Sequence, residues 1–422
     1  MKLFDSQYFT YQNGEMFCED LSVRTIAKEY GTPVYIYSKK FFTDKFTEFT
    51  NAFKDINHTI FFASKSNFNI NVMKLFYDLG AGIDVNSGGE LFRALKAGVD
   101  PKRMLLTGVG KTREEIKTGL ELDIKIIKAE SIQEVYTISE IAGQLGKTAE
   151  VALRVNPDVD AETHPYITTA LAENKFGIDA KIAFDTYMEC AKLPNIKLTG
   201  IDMHIGSQIT KVSPFVEAVA KLNDLIEKLR NAGINIEHLD IGGGMGVTYN
   251  DETPFTPEQF ADALIPLFEK SGCEIIFEPG RSLTANGGIL LTETLYTKNN
   301  GVKNFIVVDG SMTDLLRPSI YGSYHHIQPT NLAETDDVIK ADIVGPVCES
   351  GDFLAKNREI FKVNQGDLLA VMSAGAYGMT MASNYNARRR PPEILVDGDK
   401  HYVIRGRETY EHLLYDENIV EL

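Results

Sequence analysis

Between about residues 40 and 290, short apolar runs and amphipathic stretches take turns eight times. The runs fall at 59–63, 82–85, 103–106, 124–127, 151–155, 198–203, 236–241 and 274–278, each the length of one buried strand. Between them, apolar residues recur at helical spacing. In the stretch opening with Ser213-Pro214, the residues Phe215, Val219, Leu222, Ile226 and Leu229 share a face, and Gly233 closes it. Another opens with Thr256-Pro257-Glu258-Gln259, a capping box with proline at the first helical position, and then places Phe260, Leu264 and Leu267 on one side. Strands alternating with helices predict a parallel sheet, because each helix carries the chain back to the end where it started. Eight such units predict an α/β architecture with a closed (β/α)8 TIM-type barrel. An open doubly wound sheet obeys the same period and is the alternative.

The rhythm changes after residue 290. Strand-like runs at 292–296, 304–308, 337–344, 367–372 and 393–396 follow one another without long helices, which predicts a second, mainly β domain. The first 35 residues also lack the alternation, and Pro33-Val34-Tyr35-Ile36-Tyr37 is strand-like. The expected division is a barrel over 36–285 and a β domain built from 1–35 and 286–422. Residues 330–336 read as a polar loop, and no internal repeat is visible.

Composition narrows the function classes. An apolar fraction of 43% supplies a sizeable core. A net charge of −16 argues against a nucleic-acid or anionic-membrane surface. The four cysteines, Cys18, Cys190, Cys273 and Cys348, lie far apart with no CxxC pair, which excludes the common zinc patterns and leaves no metal site expected. Such thiols fit a reducing cytoplasm. The N-terminal residues lack the apolar stretch of a signal peptide, and no run is long enough to span a bilayer. A cytoplasmic location is expected.

In a barrel of this kind, reactive groups come from the C-terminal ends of the strands. Those ends carry Lys65 after the first run, Asp84 after the second, and Arg154 with Asn156 in the fifth. His204-Ile205-Gly206-Ser207-Gln208 follows the sixth, Gly242-Gly243-Gly244-Met245-Gly246 the seventh, and Glu278-Pro279-Gly280-Arg281 the eighth. Lys65 is either a surface lysine or a Schiff-base nucleophile, since an ammonium at a buried strand end is costly unless it is used. The glycine run is either a tight turn or a nest of bare N–H groups for a phosphate. His204 is either a structural histidine or a flat ring for stacking. Together with the carboxylate of Glu278, this set suits pyridoxal 5′-phosphate: an amine for the imine, a cradle for the phosphate and an acid for the pyridine nitrogen.

In the second domain, Cys348 beside Glu349 is unremarkable in isolation, as is Arg317 near Tyr321, although a guanidinium fork suits a substrate carboxylate. Arg388-Arg389-Arg390 reads as a solvated run.

In order along the chain stand GAGIDVNSGGEL (80–91), LRVNPDVDAETHPYITT (153–169), ENKFGI (173–178), HIGSQI (204–209), DIGGGMGV (240–247) and EPGRSL (278–283). VVDGSMTDLLRPSIYGSYHHI (307–327), VGPVCESGDFLA (344–355) and GAYGMTMASNYNARRRP (375–391) follow. Carrying these segments over nearly its whole length, the chain resembles the fold-type III, alanine-racemase-like pyridoxal-phosphate decarboxylases, and within them the enzymes acting on meso-diaminopimelate. The resemblance implies a homodimer whose active sites are shared across the interface, and a product, L-lysine. It implies that Lys65 bears pyridoxal 5′-phosphate, His204 stacks on it and Glu278 pairs with its ring nitrogen. Ser207, Gly243, Gly244, Gly280 and Arg281 would hold the phosphate, with Asp84 and Arg154 also facing the coenzyme. Arg281, Arg317 and Tyr321 would take the non-reacting carboxylate, Glu349 the distal ammonium, and Tyr377 both coenzyme and substrate. Cys348, from the partner subunit, would return the proton after carbon dioxide leaves.

The chain departs from the family pattern at two places. Around the coenzyme lysine it reads Phe62-Ala63-Ser64-Lys65-Ser66-Asn67 instead of tyrosine-alanine-x-lysine-alanine-asparagine, and Ala170 replaces a glycine after HPYITT. The nearest alternatives are decarboxylases of ornithine, arginine or carboxynorspermidine on the same scaffold. Two arginines and a tyrosine set for a second carboxylate favour diaminopimelate over these. A racemase would need a second base for which no motif is present. A catalytically silent binding homologue would have no need to keep Lys65, Cys348 and the phosphate loop together.

Overall fold

In the computed structural model, residues 2–4, 6–160, 175–332 and 337–421 are described. Ala170, the HPYITT segment and part of the 330–336 loop lie outside them. Contacts divide the chain into two compact units. One runs over Thr43–Val247 and Thr253–Leu283. The other comprises the residues up to Phe42, Thr248–Glu252, and those from Thr284 onward.

The first unit contains eight parallel strands: β1 (His58–Ala63), β2 (Gly82–Val85), β3 (Met104–Leu106), β4 (Ile126–Ala129), β5 (Ala149–Asn156), β6 (Ile196–Asp202), β7 (His238–Asp240) and β8 (Glu274–Phe277). Each pairs with the next, β4 with β5 included, and Ile275–Phe277 of β8 pairs with His58–Ile60 of β1. The sheet therefore closes, and the open-sheet alternative is excluded. Helices follow the strands as the amphipathic pattern requires. Ser213–Asn231 buries the expected apolar face, and Pro257–Ser271 starts at Thr256 with both halves of the capping box formed.

Position along a strand decides what enters the lumen. Phe61, Leu105, Ile126, Ala152 and Ile276, from five of the strands, form one buried apolar cluster. Side chains alternate across a strand, so two residues beyond an inward-facing position the chain faces inward again. Two residues beyond Ile126, Ala152 and Ile276 stand Lys128, Arg154 and Glu278. A greasy layer is thus capped, toward the C-terminal ends, by a charged one.

The second unit is mainly β. Its large sheet runs in the order Phe353–Phe361, Val338–Val344, Asn304–Val308, Gly288–Asn299, Val34–Ser38, Glu393–Asp397 and Lys400–Arg405. The N-terminal strand Val34–Ser38 lies inside this sheet, antiparallel to Gly288–Leu291 and parallel to Glu393–Val396. Two of its strands, Phe353–Phe361 and Lys400–Arg405, are not foreseen by the apolar pattern. Both stand at the edges of the sheet, where one side is solvated and charged residues interrupt the alternation.

Candidate active site

The charged layer is organised around one lysine. Lys128 projects from β4 with its side chain 1% exposed, and its Nζ lies 2.8 Å from Asp202 Oδ1 of β6. The same ammonium pairs with Asp240 of β7 and with Glu278 just beyond β8. Burial alone would strip its proton. Asp202, Asp240, Glu278 and Asp84 outweigh burial, and its pKa stands well above the ordinary value. None of Lys128, Asp202 or Asp240 stands out as a site residue in the sequence. The run at 124–127 predicts a strand ending at Ile127, whereas β4 is Ile126–Ala129, two residues later, and so takes Lys128 into the lumen.

Glu278 is nearly buried, and burial together with Asp84 pushes its carboxyl up to about 7, against the pull of Lys128. Asp240 is raised well above its usual range by burial and by Glu278. Its other oxygen accepts the Gly242 N–H at 2.8 Å and so pins the start of the glycine loop. The next pair in the layer is Arg154 with Glu130 at 2.9 Å, and Glu130 also accepts the Gly177 N–H at 2.8 Å. Arg154, expected as a coenzyme-facing group, is therefore held by a carboxylate and by the ring of Phe176 at 4.8 Å.

His204 and Lys65 complete the rim. Loss of water, then the positive charges of Lys65, Arg154 and Lys128, hold the His204 imidazole well below its ordinary pKa, so it is neutral near pH 7. Lys65 sits in a short 3-10 turn, Ser64–Ser66, directly after β1. Ser66, which departs from the family pattern, and Ser64 are both buried and bonded. Ser66 Oγ reaches the Ala63 carbonyl at 2.8 Å, and Ser64 Oγ lies 2.7 Å from both the Asp84 carbonyl and Glu90 Oε2. Ser64 ties the turn to β2 and its following helix, and Ser66 ties it back to the end of β1.

The loops after β6 and β7 are clamped to each other. Gln208 donates to the Val247 carbonyl at 2.6 Å and accepts the Val247 N–H at 3.1 Å. Between these anchors the backbone must be bare. A Cβ on Gly243 would collide with the Glu278 carbonyl, and Gly244 has φ +107°, a region that disfavours side chains. Beside it Arg281 Nε and Nη2 donate to Ser207 Oγ at 3.2 and 3.0 Å. Glycine backbone, a serine hydroxyl and a guanidinium make a donor set for a phosphate. Asp84 keeps a buried Oδ1 that takes no hydrogen bond among the described residues, which leaves an acceptor available deep in the barrel. Pyridoxal phosphate fits these residues at each end.

The remaining expected residues belong to the β unit, where they are arranged differently. Arg317 is buried, with Nη1 2.9 Å from His325 Nε2 and its guanidinium 4.7 Å over the Tyr249 ring. His325 Nδ1 lies 2.9 Å from the Met372 carbonyl, which puts the proton on Nδ1 and leaves Nε2 to accept from Arg317. Tyr321 ends the same short helix, Arg317–Tyr321. Cys348 and Glu349 are exposed on a loop shaped by Asp352, whose carboxylate accepts the N–H groups of Met312 and Val347. The Cys348 N–H donates to Asn386 at 2.8 Å, and Glu349 takes the hydroxyl of Tyr385. Tyr377 adopts φ +56° within the loop after Leu368–Val371.

Residues 40–285 match the family model described as "Pyridoxal-dependent decarboxylase, pyridoxal binding domain". The chain belongs to the pyridoxal-dependent decarboxylase family. It is 48% identical to the diaminopimelate decarboxylase of Aquifex aeolicus, over 96% of each chain. It is 46% identical to that of Haemophilus influenzae, over 96% of this chain and 98% of that one. Among solved structures, diaminopimelate decarboxylase from Helicobacter pylori complexed with L-lysine superposes with a TM-score of 0.90 at 38% identity, covering 93% of this chain and 98% of that one. The closed barrel and mainly β second unit described above are the fold of this pyridoxal-phosphate family.

Proposed function

We propose that this enzyme removes carbon dioxide from meso-2,6-diaminopimelate to give L-lysine, the final step in making that amino acid. The observation that carries the substrate is the near-full-length similarity to diaminopimelate decarboxylases, at 43–48% identity across eight relatives. When bound, pyridoxal phosphate supplies an electron sink for the pair left on Cα as carbon dioxide departs.

The chain's own groups do the rest. Lys65 Nζ holds the coenzyme at its aldehyde carbon. Ser207, the backbone of Gly243, Gly244 and Gly280, and Arg281 hold the phosphate, with Asp84 and Arg154 behind them. Glu278 keeps the ring nitrogen protonated, since a carboxylate beside it favours the charged form. Neutral His204 offers a flat face that does not compete for that charge. Arg281, Arg317 and Tyr321 bind the carboxylate that stays, Glu349 the distal ammonium, and Tyr377 touches coenzyme and substrate. Cys348 Sγ returns a proton to Cα, a role that its exposed position on a loop leaves open to a second surface. In this reading that surface is the barrel of a second copy, the enzyme is a homodimer with shared sites, and it works in the cytoplasm. Among the described residues no helix is long and apolar enough to cross a membrane.

The test is carbon dioxide release from a panel of meso-diaminopimelate, ornithine, arginine and carboxynorspermidine by the coenzyme-loaded enzyme. Release from diaminopimelate alone is expected. Release from one of the others in its place would overturn the substrate assignment.

A further inference from the structure

Lys128 lies beneath the groups that face the coenzyme and has no role in the scheme above. Its neighbours argue that it has one. Asp202 and Asp240 end β6 and β7 and Glu278 follows β8, with one oxygen of each within 4.8 Å of the others. Buried carboxylates gathered like this need a cation, and Lys128 Nζ is that cation: it pairs with all three. It takes Glu278 through Oε1, so the orientation of that carboxylate is set from below.

We propose that Lys128 is a positioning residue for the coenzyme, holding Glu278 ionised and aimed so that it can meet a protonated ring nitrogen. The proposal rests on the reading that Glu278 is the partner of that nitrogen. The groups facing Glu278 are Lys65 beyond β1, Asp84 on β2, Lys128 on β4, Asp202 on β6 and Asp240 on β7, with Arg154 on β5 and His204 beyond β6 flanking them. Lys128 Nζ, on β4, donates a hydrogen bond to Glu278 Oε1 from within the layer. Remove its charge and three buried carboxylates face one another, where protonation is their cheapest relief. A protonated Glu278 no longer carries the negative charge that favours a protonated nitrogen.

Two substitutions with opposite signs make the test. Lys128→Met keeps the length and loses the charge. In the loaded enzyme the acid limb of decarboxylation and the pH-dependent change in coenzyme absorbance should both move to higher pH, and coenzyme should dissociate at least about tenfold more readily. Asp240→Asn keeps the acceptor for Gly242 and removes a rival for Lys128, so the same limb should move to lower pH. The double variant should return it toward the parent. Unchanged limbs and unchanged coenzyme affinity in Lys128→Met would reduce the lysine to a strut. If Lys128→Met does not fold, Asp240→Asn alone decides: a shift to lower pH supports the proposal, and no shift or the opposite one overturns it. Glu278→Gln separates the two readings. Retention of full activity and coenzyme spectrum in that variant would refute the role of Glu278 itself, whatever Lys128 does.

Discussion

The barrel and the loop that carries Cys348 and Glu349 handle reactive groups in opposite ways. In the barrel, Lys128, Asp202, Asp240, Glu278, Arg154 and Glu130 are buried and already paired with one another. The proton affinities of Lys128, Asp240 and Glu278 are displaced by burial and by the neighbouring charges. On the loop, Cys348 and Glu349 are exposed, and their nearest bonds are to Asn386 and Tyr385 of the same unit. A preorganised lumen can tune a coenzyme before any substrate arrives. An exposed thiol can donate a proton usefully only after another surface has excluded water around it.

That contrast can be broken in several ways. The largest effect is expected from Lys65→Ala, which should abolish the lysine-bound coenzyme absorbance and lower turnover on the order of a thousandfold or more. Residual coenzyme colour at full strength would place the attachment elsewhere. Cys348→Ala should cost roughly a hundredfold in turnover, as loss of a proton donor does, while coenzyme affinity and Tm stay at the parent values. A change in coenzyme affinity would mean that the loop is part of the binding machinery and the contrast is false. Mixing the Lys65 and Cys348 variants under subunit exchange should restore activity to about a quarter of the parent value, as statistical hybrids of a shared-site dimer require.

Smaller effects sharpen the barrel side. Glu278 in the coenzyme-free fold keeps its proton up to about 7, whereas its ordinary value is 4.5. Between those values the folded state binds more protons than the unfolded chain, so this group's contribution to stability is lost as pH rises through the window. Thermal unfolding of the coenzyme-free protein should therefore show a Tm falling from pH 4.5 to 7, and Glu278→Gln should flatten that fall. Thr256→Ala removes the capping box of Pro257–Ser271, none of whose bonds involve the charged layer, and should cost only about 1 kcal/mol in chemical denaturation, with no change in any pH profile.

Much of this was readable in the chain. All eight barrel strands follow from short apolar runs, and the rim residues follow from where those runs end. The largest difference between sequence pattern and structure concerns β4. Ile124-Lys125-Ile126-Ile127-Lys128 holds two lysines in one apolar run, and period alone assigns neither to the lumen. Which lysine turns inward depends on register with β5, where Lys128 lies opposite Ala152. Registry is a property of two strands, and it decides whether a lysine is solvent decoration or the centre of a charge cluster. Asp202 and Asp240 are inconspicuous in the sequence for a related reason. Each ends its strand beside a conspicuous motif, and their meaning appears only when four strands bring them around one ammonium. In the β unit, Arg317 was legible as a carboxylate fork, but its bond to His325 was not, because the helix and the following loop meet only in three dimensions.

The placement of Val34–Ser38 governs how the protein can be made. This strand is translated before any of the barrel, yet both neighbours in its sheet, Gly288–Leu291 and Glu393–Val396, come after the barrel is complete. A ribosome therefore finishes every strand of the barrel while the centre of the β sheet still lacks its partners. Early in synthesis Val34-Tyr35-Ile36-Tyr37 is an apolar edge waiting for about 250 residues, the stretch of the newborn chain most in need of shelter.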